Sequence, residues 1–375
     1  MKTIELQTSI ASLAKELQVK FRERAAKYDE NNIFVKENYE TLKELKIFSA
    51  LIPVELGGEG WSYTDMCFFL GEIAKGCSST ALALSMHQHL VAANVWKYKQ
   101  GQGSEELLKK ISANQLILVS TGAGDWLSSS GTMQKVEGGY KVTARKNFAS
   151  QSPVGNILVT SAQYNDPELG QQVLHFGVPF NTTGIKVEDN WQAMGMRGTG
   201  SCSVTLEEVF IPEANISLKR PMAEFHPFWN VVLSVAAPIY ISPYVGIAER
   251  AAELAIEQAR KKAESYTPLL LGEMFNSLTT AQVMLKDMIS ITNNFDFKPL
   301  NENGNAMLTR KTVIANECVS VLRKSAEIHG GQSYLNKTSV EKLYRDILAV
   351  HFHPLPEKDQ HLFTGKFLLG SKLTG

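Results

Sequence analysis

Cysteine is scarce in this chain, and no two cysteines have the spacing of a metal-binding pair. The 375 residues contain Cys67, Cys77, Cys202 and Cys318, with no CxxC or CxxH pattern among them. This distribution argues against a disulfide framework and a structural zinc site, and it favours a reducing, cytoplasmic compartment. The N-terminal residues alternate between charged and apolar, unlike the continuous apolar run of a secretion signal.

An excess of charge of either sign is also lacking. Lys plus Arg and Asp plus Glu number 38 each, so the formal net charge is zero. A neutral chain has no general attraction to nucleic acid or to an anionic membrane, and we expect neither as a partner. We also expect no membrane-spanning segment. The 44% apolar and 20% charged residues instead indicate a folded globular protein.

The short motifs of several common enzyme classes are absent from the sequence. There is no GxGxxG following a strand and no GxxxxGK[ST], which argues against Rossmann and P-loop nucleotide sites. HExxH and GxSxG are absent too, which argues against the hydrolases that use them. We expect no bound metal.

The hydrophobic periodicity divides the chain into three parts. Residues 1–113 have apolar residues every three or four positions, which predicts an N-terminal helical domain. Residues 114–220 contain short runs rich in Val, Ile, Thr and Phe between turn residues, which predicts a central antiparallel β-barrel or sandwich. The predicted strands are Leu116–Ser120, Tyr140–Ala144, Ile157–Ser161, Val173–Pro179, Ile185–Glu188 and Cys202–Ile211. The helical period returns over 221–375 and holds to the end. The predicted class is therefore α+β.

Four segments resemble, in their order and spacing, those of the acyl-CoA dehydrogenase superfamily. They read IPVELGGEGWSY, ARKNFASQS, WQAMGMRGTGSCSVTLEEVFIPEANI and EIHGGQSYLNKTSVEKLYRD. The resemblance covers nearly the whole chain and implies a helical domain, a β-domain and a C-terminal four-helix bundle. It also implies a flavin-dependent oxidoreductase that binds FAD between its domains and across the subunit interface of a homotetramer or homodimer.

The resemblance also implies which residues contact the flavin. Phe148 and Ser150 match the pair that stacks on the isoalloxazine ring and hydrogen-bonds near its N5 atom. In the β-domain the usual Thr-Glu-Pro run is replaced by Ser120-Thr121-Gly122-Ala123-Gly124. A glycine pair after a histidine matches the place where a neighbouring subunit's FAD diphosphate approaches, since glycine lets a backbone come close to phosphate. The implied contact residues are Ser120, Thr121, Phe148, Ser150, His329, Gly330 and Gly331.

Two features of the acyl-CoA dehydrogenases are missing. Their catalytic glutamate falls at Pro354, and the alternative position of the base, near Ala236, also has no acid. Proline cannot accept the α-proton of an acyl-CoA thioester, so ordinary dehydrogenation needs another base. The Arg-x-x-Phe motif that grips the FAD diphosphate is missing from the segment after Arg260. FMN is therefore an alternative cofactor to FAD.

Histidines stand where the glutamate is missing. The segment His351-Phe352-His353-Pro354 resembles the flavin-dependent monooxygenase branch of the superfamily, typified by dibenzothiophene monooxygenase, which has a histidine at the position of His353. An imidazole titrates near neutral pH, with an unperturbed pKa of about 6.5, so His353 is the predicted acid or base.

A second histidine, His89, lies on a predicted apolar helix and shares one face with Ser85 and Gln88. His87 points about 200° away from it, so at most one of the two faces a given cavity. His89 is either a hydrogen-bonded core residue or a second catalytic histidine.

Three functions stay open on these observations. The first is a monooxygenase in which reduced flavin, supplied by a flavin reductase, activates O₂ for attack on a small organic substrate. The second is an acyl-CoA dehydrogenase that forms an α,β-double bond with an unidentified base. The third is a non-catalytic family member that binds a ligand.

Overall fold

The computed structural model of the protein describes residues 2–121, 125 and 127–373, with side chains from residue 8 onward. Helices precede the strands and further helices follow them, as the periodicity predicts. The N-terminal helices are α1 (Lys2–Glu30), α2 (Lys36–Glu44), α3 (Tyr63–Ala74), α4 (Ser78–Lys99) and α5 (Glu105–Asn114). A capping box starts α3, since Ser62 Oγ accepts from the Asp65 amide and the Asp65 carboxylate accepts from the Ser62 amide.

The central strands form one sheet instead of the predicted antiparallel barrel or sandwich. They are β1 (Leu118–Ser120), β2 (Thr132–Val136), β3 (Gly139–Ala149), β4 (Ile157–Asp166), β5 (Gly170–Pro179), β6 (Ile185–Val187), β7 (Cys202–Pro212) and β8 (Ile216–Pro221). Their order is β6-β7-β3-β2-β4-β5-β8, with β1 also beside β4.

The sheet is mixed because β1 and β2 both run parallel to β4. Leu118 of β1 pairs with Ile157 at the start of β4, and Met133 of β2 pairs with Tyr164 near its end. Parallel neighbours require long crossover connections instead of hairpins. The described strands therefore form an open sheet, with β6 and β8 at its two ends.

The C-terminal part is a helical bundle. Its helices are α6 (Phe228–Lys261), α7 (Thr267–Thr292), α8 (Asn301–His329), α9 (Ser339–Ile347) and α10 (Glu357–Leu368). The three long helices α6, α7 and α8 pack on one another, and α9 and α10 pack on α8. Gly330 ends α8 with a φ of 61°, and Thr338 caps α9 by accepting from the Glu341 amide, as their positions in the sequence predict.

Helix α6 departs from one expectation of the sequence. It is 34 residues long and apolar enough to cross a membrane, and it is the only such helix among the residues that the structure describes. Its most apolar stretch is 94% buried inside the protein, against α3, α4, α7 and α8. This burial is what a central core helix requires.

A buried carboxylate joins the three parts of the chain. Asp346 of α9 is fully buried and accepts from the hydroxyl of Ser78 at the start of α4. It also accepts from the amide of Met196, beyond β6, and from Lys342 Nζ, each at 2.5 Å. These charge-assisted contacts fix the bundle against both other parts. Arg197 is structural as well, since its guanidinium donates to the carbonyls of Ala193 and Asp29.

Candidate active site

The loop between α9 and α10 is fixed by side chains of the bundle. Tyr240 Oη of α6 donates to the Pro354 carbonyl at 3.0 Å. Lys311 Nζ of α8 donates to the carbonyls of His353 and Leu355, at 3.1 and 2.8 Å. Three consecutive carbonyls are therefore satisfied from the core, and this holds the backbone of His353 in place.

The His353 ring is held between two tyrosines. Its Nε2 atom lies 2.6 Å from Tyr244 Oη, and its ring stacks on Tyr240 with centroids 4.9 Å apart and planes at 20°. The Tyr244 ring meets it edge-on at 5.4 Å. Because a neutral phenol is a stronger donor than a neutral imidazole N–H, we infer that Tyr244 donates to Nε2. The proton of His353 then resides on Nδ1.

The protonation state of His353 differs from the expectation of a group that titrates near pH 7. Burial lowers its pKa to about 3, and the positive charges of Lys311 and of protonated His89 lower it further. His353 is therefore neutral at physiological pH. No carboxylate among the described residues acts on it, so this place lacks the general base of an acyl-CoA dehydrogenase.

The structure brings His89 close to His353. Its position on α4 is near enough for its charge to affect the pKa of His353. His89 Nδ1 donates to the Ser85 carbonyl one turn earlier, at 3.3 Å, so Nε2 is its acceptor. Burial lowers the pKa of His89 to about 4. The two predicted catalytic histidines are therefore neighbouring neutral imidazoles.

His87 points into the core, as the helical geometry predicts. Its Nε2 donates to the Phe48 carbonyl at 2.8 Å, and its Nδ1 accepts from the Leu118 amide at 3.0 Å. The other two residues of the predicted polar stripe also contact backbone carbonyls. Gln88 donates to the Ile47 carbonyl, and Ser85 donates to the Leu82 carbonyl of its own helix.

Phe148 is an exposed aromatic platform at the end of β3. The β-bulge between Lys146 and Ala149 gives Phe148 a φ of 58°, and its ring is 60% exposed. Trp191 approaches the ring edge-on, with centroids 6.4 Å apart. An exposed apolar ring on a rigid strand fits a planar ligand that stacks on it, so Phe148 suits the isoalloxazine ring of a flavin.

The hydroxyl of Ser150 belongs to a fixed polar network beside this platform. Its Oγ lies 2.7 Å from Ser201 Oγ, which lies 2.8 Å from Thr199 Oγ1. The neighbouring Gln151 donates to the Leu118 carbonyl and so ties this turn to β1. The predicted contacts on β1 and β3 therefore border one another.

Ser120 and Thr121 lie at the end of β1. Ser120 is half-buried, whereas Thr121 is buried and its Oγ1 lies 2.6 Å from Thr160 Oγ1. The Thr121 side chain is thus engaged within the sheet. Residues 122–124, which replace the usual Thr-Glu-Pro run, lie outside the described residues.

His329, Gly330 and Gly331 lie at the C-terminal end of α8, apart from the histidine pair. His329 Nδ1 donates to the Ser325 carbonyl at 2.7 Å. Both glycines are exposed, and a Cβ atom added to either would meet nothing within 4 Å. The open backbone fits the approach of a phosphate from another subunit, as the resemblance implies.

Tyr240, Tyr244 and Lys311 are candidate site residues that the sequence did not reveal. All three lie at core positions of the bundle helices α6 and α8, where their hydroxyl and ammonium groups contact the loop before α10. The only signal was a buried lysine in an otherwise apolar stripe, since Lys311 is 1% exposed. Within the described residues, no three His, Cys, Asp or Glu side chains gather as a metal site.

Comparison with known proteins places the chain in a family. The acyl-CoA dehydrogenase N-terminal domain model matches residues 4–115, and the acyl-CoA dehydrogenase C-terminal domain model matches residues 239–356. The chain therefore belongs to the acyl-CoA dehydrogenase family of flavoenzymes. It is a flavin-dependent oxidoreductase with the fold of that family.

Its relatives have different activities. Cyclohex-1-ene-1-carbonyl-CoA dehydrogenase of Syntrophus aciditrophicus is 24% identical, over 92% of this chain and 85% of its own. The amino sugar nitrososynthase RubN8 of Streptomyces rubradiris is also 24% identical, over 89% of this chain and 82% of its own. The structure of FMN-bound TdsC, a dibenzothiophene monooxygenase of Paenibacillus, superposes with a TM-score of 0.84 at 18% identity, over 98% and 99% of the two chains.

Proposed function

We propose that this protein is a flavin-dependent monooxygenase that acts on a small organic substrate. The observation that carries the proposal is the His353 ring. It is fixed by Tyr244 beside His89, one residue before Pro354, which occupies the position of the dehydrogenase glutamate. Two neutral imidazoles can donate and accept hydrogen bonds, but with pKa values of about 3 and 4 they are poor bases for the α-proton of a thioester.

When bound, reduced flavin would supply the two electrons with which one oxygen atom of O₂ enters the substrate and the other leaves as water. In this chain Phe148 would stack on the ring, and the Ser150 network would supply a fixed hydroxyl beside it. His353 presents its Nδ1–H as a donor, because Tyr244 occupies Nε2. The stacked Tyr240 ring and the edge-on Tyr244 ring cover part of the His353 ring and would limit the access of water to it.

FMN is the flavin that we favour, with FAD as the alternative. The absence of Arg-x-x-Phe removes a grip on the FAD diphosphate, and the TdsC structure is described as FMN-bound. A monooxygenase of this type needs a separate source of electrons, and we propose a flavin reductase as its partner. We further propose a cytoplasmic homotetramer or homodimer, in which the open Gly330-Gly331 backbone contacts the flavin of a second subunit.

The dehydrogenase alternative is supported by the cyclohex-1-ene-1-carbonyl-CoA dehydrogenase relative, whose name denotes an acyl-CoA substrate. The monooxygenase and dehydrogenase proposals differ in what reduced flavin does with O₂. In a monooxygenase without substrate, the O₂ that has been consumed is released as H₂O₂ only after a delay. In an enzyme that is not a monooxygenase, O₂ uptake and H₂O₂ release occur together.

Rapid mixing of the anaerobically reduced, FMN-loaded protein with O₂ tests the proposal. We expect O₂ uptake to finish before oxidised flavin and H₂O₂ appear, with a measurable lag. Simultaneous O₂ uptake and H₂O₂ release, or anaerobic bleaching of the flavin by acyl-CoA, would reject it. Protein that retains no flavin at saturating FMN or FAD would instead support a non-catalytic family member.

A further inference from the structure

Lys311 is a buried basic residue directly behind residues 348–356, the His353 loop. It is 1% exposed and shares its face of α8 with Leu308 and Ala315, both of which are buried in the bundle core. Its Nζ atom donates to the carbonyls of His353 and Leu355, at 3.1 and 2.8 Å. One side chain therefore holds the loop backbone on both sides of the residue that follows His353.

The charge of Lys311 has no direct counter-ion among the described residues. Glu357, at the start of α10, is the described acid that acts on the pKa of Lys311. The Glu357 carboxylate is bonded elsewhere, since it accepts from Asn316 Nδ2 at 3.2 Å and from Lys358 Nζ at 2.9 Å. A buried charge that lacks a contacting partner is costly in free energy, and this cost favours the neutral amine.

The other titratable side chains at the His353 loop are neutral around pH 8. Burial, and then the charge of Lys311, lower the pKa of both His351 and His353. Burial raises the pKa of Tyr240 and of Tyr244, the two tyrosines of α6 that contact the loop. Charged groups on the neighbouring helices are paired with each other, Arg310 of α8 with Asp287 of α7 and Lys342 of α9 with Asp346 of α9. The protonation of Lys311 therefore sets the charge beside this loop.

The two carbonyls match a neutral amine better than an ammonium group. An ammonium group has three N–H donors and a neutral amine has two, whereas the described residues offer the Nζ atom of Lys311 two acceptors. Burial accordingly lowers the pKa of Lys311 to about 8, and the charge of Glu357 opposes this shift only in part. The closed His353 loop is therefore more stable when Lys311 is neutral than when it carries a proton.

We propose that Lys311 is a positioning residue that makes the closure of the His353 loop depend on pH, because its neutral amine holds the loop more firmly than its ammonium form. In an open loop, water reaches the amine and returns its pKa to the ordinary value of about 10.4. The open state then binds the proton more tightly, so a rise in pH from about 8 to about 10.4 favours the closed state. The effect of closure on the oxygen reaction rests on the proposed function, whereas the pH dependence of the loop does not.

Hydrogen–deuterium exchange of the FMN-loaded protein at pH 7 and pH 9 tests this role, with mass spectrometry of peptides that cover the His353 loop. The measured quantity is the protection factor, which is the exchange rate of an unstructured reference peptide divided by that of the loop at the same pH. We expect it to rise about tenfold from pH 7 to pH 9, because the closed loop releases its proton with a pKa of about 8. The lag before H₂O₂ release should lengthen over the same pH range.

Two variants assign the effect to Lys311. Lys311→Met keeps an apolar stem and removes the amine, so its loop should exchange faster and its protection factor should change by less than about twofold between pH 7 and pH 9. The matched control is Lys324→Met on the same helix, since Lys324 Nζ lies 2.6 Å from the Glu273 carboxylate instead. This control should keep the tenfold rise. If Lys311→Met does not fold, the wild-type profile alone decides.

Two results would overturn the role of Lys311. They are a wild-type protection factor that stays constant or falls between pH 7 and pH 9, and an equal rise in Lys311→Met and the wild type. Because the exchange experiment involves no turnover, either result leaves the proposed monooxygenase standing. The expected rise without an H₂O₂ lag would instead reject the monooxygenase and leave the role of Lys311 in the loop intact.

Discussion

The hydroxyl of Tyr244 lies 2.6 Å from Nε2 of His353, and this contact joins α6 to the loop before α10. The bond fixes the direction of the imidazole and leaves the proton on its other nitrogen, Nδ1. It is therefore the structural basis of the proposed role of His353 as a donor.

Tyr244→Phe should destabilise the fold and disorder the His353 ring. The substitution leaves a half-buried imidazole nitrogen without its partner, which costs about 1–3 kcal/mol in the free energy of unfolding by urea. The matched control, Tyr240→Phe, removes only the bond to the Pro354 carbonyl and keeps the stacked ring. We expect Tyr244→Phe alone to shorten the lag before H₂O₂ release. Equal lags in the two variants would contradict the positioning role.

Phe148→Ala should weaken flavin binding without unfolding the protein. The ring is 60% exposed, so its loss should change the free energy of unfolding by no more than about 0.5 kcal/mol. Loss of a stacking contact of about 1.4 kcal/mol would raise the Kd for FMN tenfold. Phe210→Ala is the control, because that ring is 46% exposed on β7. Fluorescence titration with FMN measures both variants, and an unchanged Kd for Phe148→Ala would remove this residue from the flavin site.

Asp346→Asn should weaken the packing of the three parts of the chain against one another and so lower the free energy of unfolding. Lys342 would lose its buried counter-ion, at a cost of about 3 kcal/mol in the free energy of unfolding. Contacts with Lys342, Ser78 and the Met196 amide outweigh burial and lower the pKa of Asp346 below its ordinary value of 3.8. A lowered carboxyl pKa contributes stability above that value, and the contribution is lost as pH falls through the folded-state pKa.

The pH dependence of the free energy of unfolding at acidic pH tests this role of the Asp346 charge. Wild-type protein should lose stability below about pH 4 more steeply than Asp346→Asn in urea unfolding followed by circular dichroism. Parallel pH profiles for the two proteins would show that the charge of Asp346 contributes nothing.

Buried histidines should make the protein less stable at mildly acidic pH. Burial lowers the pKa of fully buried His87 to about 4, so the unfolded chain takes up a proton below about pH 6.5 that the folded chain does not. The contribution of neutral His87 to the free energy of unfolding is therefore fully present above about pH 6.5 and is lost as the pH decreases. Between pH 7.5 and 5.5, His87→Gln should lose about 1.4 kcal/mol less than the wild type. The same pH dependence in both proteins would contradict the neutral state of His87.

Much of the β-domain could be predicted from the sequence, because its buried strands are rich in β-branched residues. Segments such as Tyr140–Ala144 and Cys202–Ile211 lie within the observed β3 and β7. The two missed strands are β2, with three exposed residues, and β8, which contains Lys219, Arg220 and Pro221. Their residues lack the apolar alternation that identifies a strand. The pairing of β1 and β2 with β4 depends on long connections whose paths local sequence does not specify.

The candidate site was predictable only where a side chain carries its own chemistry. His353 and His89 stand out as histidines, and helical geometry separates His89 from His87. The shift of the His353 pKa to about 3 depends on burial and on Lys311, which is 42 residues away in the chain. From the sequence, Tyr240 and Tyr244 look like ordinary core residues of an apolar helix. Their contacts with Pro354 and His353 are evident only in the structure.

The reaction of reduced His353→Ala with O₂ tests the central claim most directly. The FMN-loaded variant and the matched control His351→Ala are reduced anaerobically and mixed with O₂, and O₂ uptake and H₂O₂ release are followed together. Loss of the His353 donor should accelerate H₂O₂ release about 10²-fold while FMN binding is retained, and the control should keep the wild-type lag. An unchanged lag in His353→Ala would contradict the proposed role of this histidine.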